Sequence, residues 1–428
     1  MIHPLFMGLL LIIYVLIEIV RYIRYLRIYH MLNRMNRYDL NTYPIEVNSK
    51  NREKQTNFDR FLDDMETYPD LLEENLKDVY IKDVNLEDMV TEDVCEALFD
   101  LVNRNPKLIK RIKDIVKNLK AHKEKQKRII FQGNNAGDNE RLQLRRSNIR
   151  SWFQILPMYF VMKLYDYMIN SLMMMIGYRS KTVNGIDIWH NGYDPKRGKP
   201  IIFFHASLGG VTLQIATIQR FSGKYNLIMP DIPGMNFSDS GNPPFTMKKV
   251  CETVMEFTKK HYSPLFSKSS SRVNLMGHSL GNNFCSYIIN THPNDVDTFF
   301  CVEGQIFFHR SLRVYKEFLE SIVNMSITEI LTFPLLHRDL YAQYFIQRLM
   351  RVDESFIFNL DRAPHIKINM YHSKTDSRFL IDSQLKYADL KSIPLDYHIF
   401  KGDRSHGAFI LDSEFREYVF KQIEIKMD

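Results

Sequence analysis

Cysteine is scarce in this sequence, and its spacing carries no pattern. The 428 residues hold four, Cys95, Cys251, Cys285 and Cys301, without the paired C-x-x-C of a zinc site or the dense spacing of a disulfide framework. That excludes a disulfide-stapled small domain and fits a reducing compartment. Neither a P-loop nor H-E-x-x-H occurs, so no nucleotide, metal or other cofactor is implied. Long apolar runs are few, and a mean hydropathy of -0.27 argues against a multispanning protein. The charge surplus is small too, 57 basic against 50 acidic residues for a net +7. The most basic stretch, Arg104 to Arg128, has no interleaved aromatics, so nucleic acid is not an expected partner. Glycosylation sequons stand at Asn236 and Asn324; both fall inside the folded region inferred below, and neither is expected to be used.

Against these absences stands Gly277-His278-Ser279-Leu280-Gly281. An apolar run, Val273 to Met276, precedes it, and a helix-like stretch, Asn282 to Asn290, follows. Strand, sharp turn and helix with serine at the apex is the pattern of a nucleophile elbow, whose glycines leave room for strand and helix to cross closely. The five-residue pattern alone is weak; its surroundings strengthen it. Pro200 to Phe204 reads as a buried strand running into His205-Ala206-Ser207-Leu208-Gly209-Gly210. Such a loop turns backbone N–H groups toward a developing oxyanion, and the N–H groups of Ser207 and Leu280 are the expected pair.

Two more loops supply an acid and a base. His365 to Tyr371 alternates as a strand does and leads to Asp376. Leu395 to Phe400 is another short strand, and His406 follows on the loop that opens the final helix. The order Ser279, Asp376, His406 is the one in which a hydrolase sheet delivers nucleophile, acid and base. Glu303, just past the strand Thr298 to Val302, is the alternative acid. Each of these residues, alone, is also compatible with an ordinary turn or surface role; the order and context of all of them favour the triad.

From about residue 180 to 428 the chain resembles the α/β-hydrolase superfamily. Asp231-Ile232-Pro233-Gly234-Met235-Asn236-Phe237-Ser238 looks like its D-x-P-G-x-G-x-S loop, with Asn236 in place of the second glycine. The usual His-Gly of the oxyanion loop is His205-Ala206 here. The likeness extends to the monoacylglycerol-lipase-like branch and to membrane-anchored fungal-type hydrolases. It implies an α/β-hydrolase fold, a mostly parallel eight-stranded-type sheet with helices on both faces. It also implies attack by Ser279 on an ester carbonyl, with His406 as base and Asp376 orienting the imidazole. Helical residues at about 305–362, rich in large apolar side chains, stand where that superfamily places a cap, which favours an acyl chain as substrate.

The N-terminus suggests a location. Pro4 to Val20 is apolar except for Glu18, and about 17 residues is the lower limit for a spanning helix. Arg21, Arg24 and Arg27 lie only on its C-terminal side, which predicts an uncleaved anchor with the catalytic domain in the cytosol, by default at the endoplasmic reticulum. The expected organisation is therefore an anchor at 1–28, a charged, largely helical extension at 29–150 and a membrane-docking segment at 151–181. The hydrolase domain follows at 182–428. Within the extension, an acidic segment (Asp59 to Asp100) and the basic Arg104 to Arg128 are expected to pair or to be solvated. Residues 151–178 are interrupted by Pro157, Lys163, Asp166 and Asn170; an interfacial helix or burial against the domain fits them better than a second span.

The expected function is hydrolysis of lipid or other hydrophobic esters, of monoacylglycerol or lysophospholipid type. The alternatives are an acyltransferase and a catalytically inactive binding scaffold. For acyl transfer, H-x-x-x-x-D spacing is missed by His406 and Asp412 and met by His292 and Asp297, past the helix that follows the elbow.

Overall fold

Eight short strands form the sheet at the centre of the molecule, and all but the first are rich in β-branched, aromatic and long apolar residues. The computed structural model describes residues 4–38, 156–206, 210–232, 245–262, 272–307, 364–374, 381–402 and 407–427, with isolated positions between them. The strands are β1 (Arg179–Val183), β2 (Ile186–His190), β3 (Ile201–Phe204), β4 (Leu227–Asp231), β5 (Val273–His278), β6 (Val296–Val302), β7 (Lys367–Ser373) and β8 (Leu395–Phe400). They make one sheet in the order β1-β2-β4-β3-β5-β6-β7-β8. The β1-β2 and β2-β4 pairs are antiparallel, and all later pairs are parallel. This is the mostly parallel eight-stranded sheet expected.

The helices are α1 (Pro4–Tyr38), α2 (Leu156–Met175), α3 (Ile215–Phe221), α4 (Met247–His261), α5 (Gly281–Thr291), α6 (Ile381–Leu390), α7 (Ala408–Leu411) and α8 (Ser413–Met427). Helices α4, α5 and α6 cover one face of the sheet, and α2, α3, α7 and α8 the other. Because side chains alternate along a strand, Ile202, Phe204, Val273, Leu275, Phe299 and Cys301 join α4 and α5 in one core. Ile201, Phe203, Met276, Phe300 and Val302 join α3, α7 and α8 in the other. Strand β3 is buried on both faces along its whole length, which explains its unbroken Ile-Ile-Phe-Phe run. Each such side chain contributes about 1.5–3 kcal/mol by leaving water.

The β1-β2 hairpin is an element that the sequence reading does not place. It turns at Asn184 and Gly185, with φ of 52° and 84°, and Asn-Gly is the strongest short-range hairpin signal. Its register runs from Arg179 opposite His190 to Val183 opposite Ile186. The sheet therefore begins inside the stretch assigned to the docking segment, because a strand partly exposed along its length carries little apolar signal of its own.

Helix α2 is docked on the domain by one face only. Met173 is fully buried and Ile169 and Ile176 pack on the same core, whereas Phe160, Leu164, Tyr167, Met168, Met174 and Met175 are exposed. The packed face matches the expected burial against the domain.

The spanning anchor needs correction. Residues 4–38 do form a helix, but among the described residues no helix is long and apolar enough to cross a membrane. The reason lies in its side chains. Those described begin at Ile12, carry Glu18 paired with Arg21 at 3.0 Å, and reach Arg24 and Arg27. In the extension, Arg111 of the basic segment donates to Glu66 at 3.0 Å and to Asp63 at 2.5 Å in the acidic segment, so the two charge runs meet there. Nearly all of the rest of 39–155, and nearly all of the cap at about 305–362, lie outside the described residues.

Candidate active site

The carboxyl ends of the parallel strands converge at one edge of the sheet. Phe204 pairs with Gly277, His278 with Val302, Val302 with Tyr371, and Ser373 with Phe400. In chain order, Ser207 follows β3 by three residues, Ser279 follows β5 directly and Glu303 follows β6 directly. Asp376 follows β7 by three and His406 follows β8 by six. Open α/β sheets bind ligands beyond the carboxyl ends of their strands.

Ser279 is at the apex of the turn. It has φ of 52°, a left-handed conformation that a serine adopts at a cost of about 1–3 kcal/mol. The surrounding bonds hold it there. Its N–H donates to Val302 O at 3.0 Å, and the Asn282 side-chain amide donates to both Ser279 O at 2.8 Å and Val302 O at 3.0 Å. Gly281 explains the second glycine of the motif: a β-carbon there would lie 2.1 Å from Phe204 O. Helix α5 opens with Leu280 as its flanking residue. The first N–H groups of a helix lack intrahelical partners and carry its positive dipole end, the environment an oxyanion needs.

His205 links the two loops at the edge. It is fully buried, and its Nδ1 donates to Ala206 O at 2.6 Å. Its Nε2 accepts the Ile232 N–H at 3.1 Å, tying the loop after β3 to the one after β4. Burial lowers its pKa to about 4, with the Ala206 carbonyl opposing the shift. A neutral ring is thus the working form, and its 3.8 Å approach to Asp231 is not an ion pair. Alanine at position 206 fits the loop: among the described residues, positive φ outside glycine occurs at Asn184, Ser279, Glu303 and Ser392.

Glu303 is the expected alternative acid, and its surroundings are specific. It is fully buried, with φ of 45°, and its N–H donates to Tyr371 O at 2.9 Å. Its carboxylate accepts the N–H groups of Ala408 at 3.0 Å and Phe409 at 3.2 Å. His278 Nε2 lies 2.9 Å from the same carboxylate, and Gln214 Nε2 lies 3.4 Å from His278 Nδ1. Asp376, His406 and Ser207 lie outside the described residues.

Four residues beside this site, Gln214, His278, Asn282 and Gly304, make contacts that the sequence reading misses. His278 is inside the motif, Asn282 directly follows it, and Gly304 follows Glu303 past a strand, so position offered a signal for these three; Gln214 offered none. The residues weighed for acyl transfer are elsewhere. Asp297 is on the second residue of β6, paired with Lys199 at 2.7 Å, and His292 ends α5 beside Asp295. Both lie at the opposite end of the strands from Ser279. Asp412 accepts the Phe415 N–H at 2.8 Å and pairs with Arg404 at 2.5 Å, capping α8. The thiols of Cys251, Cys285 and Cys301 are buried in the core, and burial pushes those of Cys285 and Cys301 well up, making them packing residues.

No family model matches the chain, and no curated protein matches it. Solved structures do. A carboxylesterase of the ammonia-oxidizing thaumarchaeon Nitrososphaera gargenis is 13% identical over 58% of this chain and 98% of its own, with a TM-score of 0.43. Naproxen esterase from Bacillus subtilis is 13% identical over 62% and 98%, with a TM-score of 0.44. A membrane phospholipase A, a bacterial virulence factor, is 16% identical over 62% and 92%, with a TM-score of 0.43. What the chain itself presents is an α/β fold with a strained serine at the carboxyl end of a central strand of a mostly parallel sheet.

Proposed function

We propose that the protein is a serine hydrolase of lipid or other hydrophobic carboxylic esters. The reading rests on Ser279, held at φ of 52° between a buried strand and the helix packed behind it. Strain of this kind persists only where the surroundings enforce it, and it clusters at reacting residues. In the proposed reaction His406 removes the proton of the Ser279 hydroxyl as the oxygen attacks the ester carbonyl. Asp376 fixes the imidazole tautomer, and the N–H groups of Ser207 and Leu280 receive the oxyanion. His406 then protonates the departing alcohol, and water releases the acyl group by the same steps in reverse. No cofactor enters.

The substrate class proposed is monoacylglycerol or lysophospholipid. The apolar residues of about 305–362 favour an acyl chain over a sugar or peptide, and the exposed apolar side chains of α1 and α2 favour a substrate met at a lipid surface. Membrane association through the N-terminal helix, with the catalytic domain on the cytosolic side, belongs to the same proposal.

Fluorophosphonate labelling of membranes that express wild type or Ser279→Ala tests the chemistry. Labelling of the wild type alone supports an activated Ser279. Equal signal, or none from folded wild type, sinks the hydrolase reading and favours a binding scaffold. Cosedimentation with vesicles of phosphatidylcholine and phosphatidylserine tests the location. Tyr167→Glu with Met168→Glu should then weaken binding without altering hydrolysis of a soluble short-chain ester.

A further inference from the structure

One buried carboxylate joins the residue before the nucleophile to the residues just after the expected base. We propose that Glu303 is a positioning residue that keeps the Ser279 elbow and the His406 loop in register, and that it is not the acid of the triad. The inference rests on the hydrolase reading above.

The geometry carries the assignment. Glu303 leaves β6 with φ of 45° and is 0% exposed, a strained conformation for a residue whose side chain is also taken fully from water. Three N–H donors compensate: Ala408 N at 3.0 Å, Phe409 N at 3.2 Å and His278 Nε2 at 2.9 Å. Two of them open α7, and Ala408 is two residues from His406, within about 7 Å by chain length. The third belongs to the residue covalently joined to Ser279. Gln214, 3.4 Å from His278 Nδ1, closes the chain of contacts on the far side, and the Phe409 ring lies 5.1 Å from the His278 ring. A carboxylate engaged by the backbone of α7 fixes the start of that helix, two residues beyond the expected base. Reacting groups need alignment to a few tenths of an ångström, and misplacement by about 1 Å costs on the order of 100-fold in rate.

The experiment compares Glu303→Gln with wild type, in the native background and in His406→Ala, using a soluble short-chain p-nitrophenyl ester. The amide keeps one acceptor oxygen but puts an NH2 against an N–H donor. The expected result is a 10- to 100-fold lower kcat with KM within about twofold, and a residual rate in His406→Ala that Glu303→Gln changes less than twofold. Residues acting as one unit are non-additive in this way. An unchanged kcat overturns the proposal, as does an equal loss in both backgrounds, the signature of a purely structural role. A loss on the order of 10,000-fold, with Asp376→Asn nearly normal, also overturns it by making Glu303 the acid. Should Glu303→Gln not fold, His278→Gln carries the same comparison from the elbow side, where an unchanged kcat again overturns the proposal. Ser279→Ala separates the two readings: if it hydrolyses as fast as wild type, the hydrolase reading has failed whatever Glu303 does.

Discussion

The side-chain amide of Asn282 occupies the space that any β-carbon on residue 304 would need. A β-carbon at Gly304 would come within 2.0 Å of Asn282 Nδ2, and that amide is the one that holds the carbonyls of Ser279 and Val302. Gly304→Ala should therefore push Asn282 off both carbonyls. We expect a loss of about 1–3 kcal/mol in urea denaturation, typical of overpacking, together with lower esterase activity as the elbow loosens. A variant with wild-type stability shows that Asn282 can move freely.

Ser279 itself trades stability for position. Replacing it by glycine removes the left-handed strain while adding backbone freedom to the unfolded chain. Ser279→Gly should raise stability by about 1 kcal/mol and abolish fluorophosphonate labelling. A denaturation midpoint at or below that of wild type contradicts the strain.

The two acids make opposite predictions. Asp376→Asn should keep the fold and lower kcat by on the order of 10,000-fold, because the wrong imidazole tautomer is then favoured. Asp412→Asn touches the cap of α8 and the Arg404 pair, and should lower the Tm by a few degrees while leaving ester hydrolysis intact. Added alcohol acceptors should not raise product formation in either protein.

His205 makes stability fall on the acid side. Its folded pKa is about 4 against an ordinary 6.5, so the unfolded chain takes up a proton first as pH drops. Its contribution is fully present above about pH 6.5 and is lost progressively down to about pH 4. The loss amounts to about 3 kcal/mol for this buried ring. Denaturation midpoints between pH 7 and pH 4 measure it, and His205→Gln should flatten that part of the profile.

The parallel strands and the sharp turn at Ser279 were legible because each is local: an apolar run long enough for a buried strand, then a turn motif; Asp376 and His406 lie outside the described residues. The β1-β2 hairpin escaped because a strand partly exposed along its length lacks an apolar signature, even though Asn184-Gly185 marks its turn. The anchor was over-read because hydropathy counts residues in a row, and the described part of the helix carries a paired Glu18 and three arginines in its later turns.

By itself, the sequence determined the fold class and where along the chain the strained serine turn lies, since periodicity and turn chemistry act over a few residues. Only the tertiary structure decided what Glu303, His278, Gln214 and Gly304 touch. Glu303 and Ala408 are 105 positions apart in the chain, and Gln214 and His278 are 64. The parallel sheet brings them together by aligning strands from distant parts of the sequence. A buried carboxylate must then find its partners among whatever groups the fold places there, because leaving it unpaired costs several kcal/mol.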